Sequence, residues 1–143
     1  MNILKVLTPK RRVGNVGEDA AAKFLKKSGY KILARAYEGA GHEIDIVAEY
    51  KGTTTFIEVK TRNIASKSAR EPRPASSVTP RKQRGIISAA KHYCSFHFTE
   101  GPIQFDVIEV YLEGEGKNLK VNQIKHLKNT FNFNTAYSRT RRI

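Results

Sequence analysis

Apolar and polar residues largely alternate along 42–62, HEIDIVAEYKGTTTFIEVKTR, on either side of Lys51-Gly52, with Val47 and Phe56 as exceptions. A period of two on either side of such a pair predicts two antiparallel strands joined by a two-residue turn. Pairing Tyr50 with Thr53 sets Asp45 opposite Glu58 and Glu43 opposite Lys60. Those four polar residues then share one face. Ile44, Ile46, Ala48, Ile57 and Val59 form the opposite, core face. Val47 and Phe56 fall on the polar face and need cover of their own.

The rest of the chain divides by the same signals. VGEDAAAKFLKKS (16–28) has a helical period, with Ala21, Ala22, Phe24 and Leu25 apolar, Asn15 as N-cap and Gly29 just past the end. YKILARAYE (30–38) reads as a strand. Residues 63–78 are aperiodic and rich in Ser, Pro, Ala and Arg, which predicts a mobile loop carrying Arg70 and Arg73. Thr79 and Pro80 open a second helix whose apolar positions are Ile86, Ile87, Ala90 and Tyr93. IQFDVIEVYLE (103–113) is strand-like, GEGKN is a turn, and LKVNQIKHL reads as a last edge strand. Asp106 interrupts an apolar strand, as a residue that holds its neighbourhood by hydrogen bonds would. The expectation is one mixed α/β domain over residues 1–128, antiparallel in its first half, with a basic tail over 129–143.

Charge narrows the partner. Twenty-six Lys and Arg against 13 acids give a formal net charge of +13. That excess favours a polyanion, nucleic acid first, because binding phosphates releases counterions. Arg62, Arg81, Lys82, Arg84 and Lys91 are candidate nucleic-acid contacts. No apolar run is long enough for a membrane span, and the N-terminus lacks the pattern of a signal peptide. The single Cys94 excludes an internal disulfide framework and fits a reducing, cytoplasmic setting.

Two carboxylates facing each other across a hairpin stand about 5 Å apart at Cβ and repel, unless a cation lies between them. Oxygen ligands of this kind suit Mg²⁺, with Mn²⁺ as a substitute. Asp45 and Glu58, with the backbone carbonyl of Val59, are therefore the expected metal ligands. Lys60 would position an attacking water or steady a phosphate oxygen. The chemistry these parts serve is metal-assisted phosphodiester hydrolysis. Glu43 is a further ligand candidate, though pairing with Lys60 or a surface charge is the favoured reading. Glu18, three residues after Asn15, would close a capping box.

Asp45, twelve residues, then Glu58-Val59-Lys60 resembles the PD-(D/E)xK signature of restriction-endonuclease-like nucleases. The blocks GEDAAAKFLKKSGYKILAR, HEIDIV, FIEVKTR, TPRKQRGI and QFDVIEV resemble, in order, those of the YraN-like family of small bacterial proteins, which are similar to archaeal Holliday-junction resolvases. The resemblance spans roughly residues 14–110. It implies a restriction-endonuclease-like core, a central mixed β-sheet flanked by helices. It also implies metal binding by Asp45 and Glu58, a catalytic Lys60, and Glu18 as the helix acid that completes the metal site. Gln83, or Lys82 beside it, matches a polar residue placed near the site by the following helix. His42 stands where the family commonly has glycine, and that bears on access to the site. Junction cutting needs two sites and so would require a homodimer. The rival readings are a non-catalytic DNA-binding protein of the same fold, or a docking module for a ribosomal or recombination complex.

Overall fold

A computed structural model describes residues 9–64 and 78–137, the side chains of residues 9–12 and of Thr135 excepted. Helix α1 (Pro9–Lys27) precedes strands β1 (Lys31–Gly39), β2 (His42–Tyr50) and β3 (Thr53–Asn63). Helix α2 (Pro80–Phe96), β4 (Ile103–Glu113), β5 (Lys120–Phe131) and a short α3 (Phe133–Tyr137) follow. The five strands form one sheet in chain order. All neighbours are antiparallel except β3 and β4, which run parallel because α2 carries the chain back between them.

The local signals act as their chemistry requires. Lys51 (φ 48°) and Gly52 (φ 83°) make the tight turn, and the pairs from Tyr50↔Thr53 to Ile46↔Ile57 follow the register expected from it. Thr79 Oγ1 accepts the Lys82 N–H at 3.1 Å and caps α2. Past α1, Gly29 takes φ 93°, the Tyr30 N–H bonds to Leu25 O, and the Gly29 N–H bonds to Lys26 O. That is a Schellman ending, which satisfies carbonyls the helix leaves orphaned.

Both faces of the sheet are covered, which answers the question of Val47 and Phe56. They pack with Ile86, Ile87, Tyr93 and Phe105 in the core under α2. Ile46, Ala48, Ile57, Ile108 and Val110 pack with Ala21, Ala22 and Leu25 under α1. Ile44 departs from the expected face and joins the α2 side. The cause is local. Ala36 lies between the Arg35↔Ile46 and Tyr37↔Ile44 pairs and so faces Asp45, and it adopts φ 49°. That left-handed residue turns the strand pair and sends Tyr37 to the α2 side as well.

Three boundaries differ from the sequence expectation. Helix α1 begins at Pro9, so Asn15 lies inside it and caps nothing. The loop assigned to 63–78, with Arg70 and Arg73, lies outside the described residues except at its ends. There Asn63 belongs to β3 and Val78 is buried in the core. Residues 129–137, assigned to the tail, continue β5 and form α3, with Phe131 and Ala136 only 2% and 1% exposed. Burial of these two side chains extends order past residue 128.

Gly17 sets how closely α1 lies on β3. A Cβ there would overlap the Thr61 side chain, meeting Thr61 Cγ2 at 2.6 Å. Alanine raises helix propensity by about 1 kcal/mol over glycine, but relieving the overlap means moving α1 away from β3. Gly17→Ala is expected to destabilise by about 1–2 kcal/mol in chemical denaturation. A stabilised variant would mean that Thr61 simply rotates aside.

Candidate active site

The functional side chains meet where β2 and β3 part. Beyond Ile46↔Ile57 the two strands share no further pairs. Asp45 replaces the missing ladder contact, its Oδ2 accepting the Val59 N–H at 2.8 Å. The strands therefore fork around Asp45, which comes within reach of α1. Glu18, Glu43 and Asp45 each offer a carboxylate oxygen, and these atoms all lie within 4.8 Å of one another.

Glu58 completes the group from β3 and is 6% exposed. Its Oε2 lies 3.8 Å from Lys60 Nζ and 3.7 Å from Lys82 Nζ, so two ammonium groups from different elements converge on one oxygen. Burial, and then the charge of Asp45 and a hydrogen bond with it, push the Glu58 carboxyl up to about 8. Lys82 and Lys60 only partly oppose this. Burial and Asp45 likewise raise Glu18 to about 7, with Glu43 adding to the effect and Arg35 opposing it. Arg35 is itself engaged with Asp19 at 2.7 Å.

Because folding raises both values, the native protein holds protons that the unfolded chain releases. Stability is then greatest below the ordinary carboxylate value and falls as pH rises from about 4.5 toward 8. For Glu58 alone, a loss of about 2–4 kcal/mol between pH 5 and pH 8 is expected in metal-free urea denaturation. A flat profile would mean that these carboxyls are well solvated and do not act on one another.

The expected site residues are thus brought together unevenly. Asp45, Glu58, Lys60 and Glu18 converge. Glu18 cannot close the capping box, since its supposed cap lies within the helix. Glu43 does not pair with Lys60 but joins Glu18 and Asp45. The signal for it was its position two residues before Asp45 on the same strand face. Val59 contributes its N–H to Asp45. Of the α2 pair, Lys82 reaches Glu58, while buried Gln83 donates to Val78 O at 2.9 Å and ties down the start of the helix. Buried Glu109, opposite Lys60 on β4, was not expected; it accepts the Tyr111 hydroxyl at 3.2 Å. Arg62 lies opposite Tyr111 on β4 and partly buried. Arg81 is exposed, and Arg84 and Lys91 face α3. A cleft of about 450 Å³ opens beside Glu43, lined also by Glu38, Gly39–His42 and His92. His42 rests against Gly85 of α2, where a Cβ would come within 2.6 Å of its Nδ1.

A five-stranded mixed sheet between helices, with acids gathered where two central strands fork, defines an α/β fold compatible with a restriction-endonuclease-like core. Residues 17–110 match the Uncharacterised protein family UPF0102. The chain belongs to this family, consistent with the YraN-like resemblance in its sequence. It is 40% identical over 123 residues to a UPF0102 protein of Caldanaerobacter subterraneus subsp. tengcongensis, covering 85% of this chain and 96% of the relative. To a UPF0102 protein of Chlorobium phaeobacteroides it is 41% identical over 122 residues, covering 83% and 93%. No helix among the described residues is long and apolar enough to cross a membrane.

Proposed function

We propose that this protein is a metal-dependent phosphodiesterase that cuts DNA. The reading rests chiefly on the three acids whose oxygens lie within 4.8 Å of one another, beside a buried Glu58 flanked by two lysines. Acids held this close repel, and the raised Glu18 and Glu58 values mean that protons now relieve the repulsion. A divalent cation relieves it better, and the all-oxygen donor set fits Mg²⁺ or Mn²⁺.

Asp45 and Glu58 would hold the ion, joined by Glu18 and Glu43 and by the Val59 carbonyl. Bound there, it supplies Lewis-acid polarisation of the phosphodiester and a lowered pKa for water. Asp45 is oriented for this by its bond from the Val59 N–H. Lys60 and Lys82 lose part of their hold on Glu58 once its charge is shared, and their ammonium groups are then free to meet phosphate oxygens. Lys60 orients the attacking water, and Lys82 brings a charge from the helix side. Binding should be largely to the backbone and steeply salt-dependent. The resolvase likeness points to branched DNA, which a homodimer would cut at two sites.

The test is cleavage of labelled linear, single-stranded, flapped and four-way-junction DNA with Mg²⁺ or Mn²⁺, against EDTA. Lys60→Ala and Glu58→Ala run alongside. Metal-dependent cutting lost in both variants is expected. No cutting of any substrate, or cutting that survives both changes, would sink the nuclease reading. DNA binding without cutting would then favour the non-catalytic DNA-binding protein.

A further inference from the structure

The acids of this chain are unevenly placed. None occurs in residues 72–99 or 116–143, which include all of α2, β5 and α3. Where α2 meets α3, that acid-free surface also carries exposed aromatic rings. Phe133 and Tyr137 are 52% and 42% exposed, and their rings stack with centroids 4.6 Å apart. The arrangement is built from both sides. Arg84 donates to Ala136 O at 3.0 Å, Lys91 Nζ stands 5.0 Å from the Phe133 centroid, and Ala136 is buried beneath. Tyr137 meets no other ring or cation among the described residues. Exposed Arg81 lies one turn before Arg84 on α2.

Aromatic rings set among cations, on elements that carry no acid of their own, match the needs of an unpaired strand: bases stack on the rings and phosphates meet the cations. A second copy of the chain would bring a like-charged face against this one. We propose that the α2–α3 face binds single-stranded DNA by stacking a base on Tyr137, with Arg81, Arg84 and Lys91 along the backbone. This inference extends the nuclease reading by naming the substrate shape, a target with an unpaired flank. Lys82, at the site, and Lys91, beside the rings, are separated by about 14 Å along the helix axis. That is the reach of about four stacked nucleotides.

Binding of the full chain to a labelled oligothymidylate of about 15 nucleotides and to a blunt duplex of equal length tests this, in EDTA without metal. Tyr137→Ala is expected to weaken single-strand binding about 10-fold with little change on the duplex, while Tyr137→Phe binds as wild type. In Tyr137→Trp, the only tryptophan in the chain, fluorescence should be quenched by the oligonucleotide. Unchanged single-strand binding by Tyr137→Ala, or an equal loss on both probes, overturns the proposal. So does loss of self-association in Tyr137→Ala with DNA binding intact, which would make the rings a protein interface. Because no metal is present, these outcomes are independent of whether the acids catalyse cleavage.

Discussion

Asp45→Asn is expected to abolish metal-dependent cleavage, by about 10³-fold or more, and at the same time to stabilise the metal-free protein at pH 8. The two effects share one cause. Asparagine keeps a side-chain oxygen that can accept the Val59 N–H, so the fork between β2 and β3 stays closed. What it removes is a negative charge that raises both Glu18 and Glu58. Those carboxyls then ionise at lower pH, and the stability lost between pH 5 and pH 8 shrinks by about 1–3 kcal/mol. Asp45→Ala relieves the same repulsion but leaves the Val59 N–H without its acceptor, costing about 1 kcal/mol relative to asparagine. Urea denaturation of the three proteins at pH 5.5 and pH 8, beside the cleavage assay, reads both effects. An asparagine variant less stable than wild type at pH 8 would show that Asp45 is held for structural support and is not under charge strain.

Asp106→Ala should have the largest effect on folding, about 3–5 kcal/mol and a fall in Tm of about 10 °C. Asp106 is fully buried in β4 and accepts three hydrogen bonds. They come from Gln104 Nε2 at 2.9 Å, His126 Nε2 at 2.7 Å and the Asn129 backbone N–H at 2.8 Å. The last of these holds β5 through an irregularity between its pairs with Phe105 and Val107, where Asn129 takes φ 52°. Truncation would leave the His126 ring, its side chain only 8% exposed, without its partner, and would release the part-buried Gln104 amide and the Asn129 N–H at the edge of the same site. Asp106→Asn, which keeps one acceptor oxygen but replaces the other with an NH2 group that faces a donor, should fall between. Calorimetry with amide exchange along β5 would test this, and a loss below about 1 kcal/mol would mean that water replaces the carboxylate.

The hairpin register, the α2 cap, the end of α1 and the mixed α/β order were all legible in the sequence, because each depends on residues within a few positions. A period of two, a Lys-Gly turn, a Thr-Pro start and a glycine past a helix act locally and need no partner. Asp45, Glu58 and Lys60 were named as candidates from strand alternation, but the pairing of Asp45 with Glu58 expected from it ends at Ile46↔Ile57, and Asp45 accepts the Val59 N–H where the strands part. Tertiary packing decided the rest. Glu18 could be assigned between capping and the site only once α1 was seen to run through Asn15 and lie close on β3 at Gly17. Glu43 stood beside Asp45 in the sequence pattern, but that it meets Glu18 and Asp45 and not Lys60 was decided where β2 and β3 part beyond Ile46↔Ile57. Arg84 and Lys91 read as free cations until the chain beyond residue 128 folded back onto α2. The sequence by itself determined the elements and the chemistry they carry. Which charges share a space was decided by long-range burial, since the free energy that brings α1, the fork and α3 together comes from apolar contacts far apart in the chain.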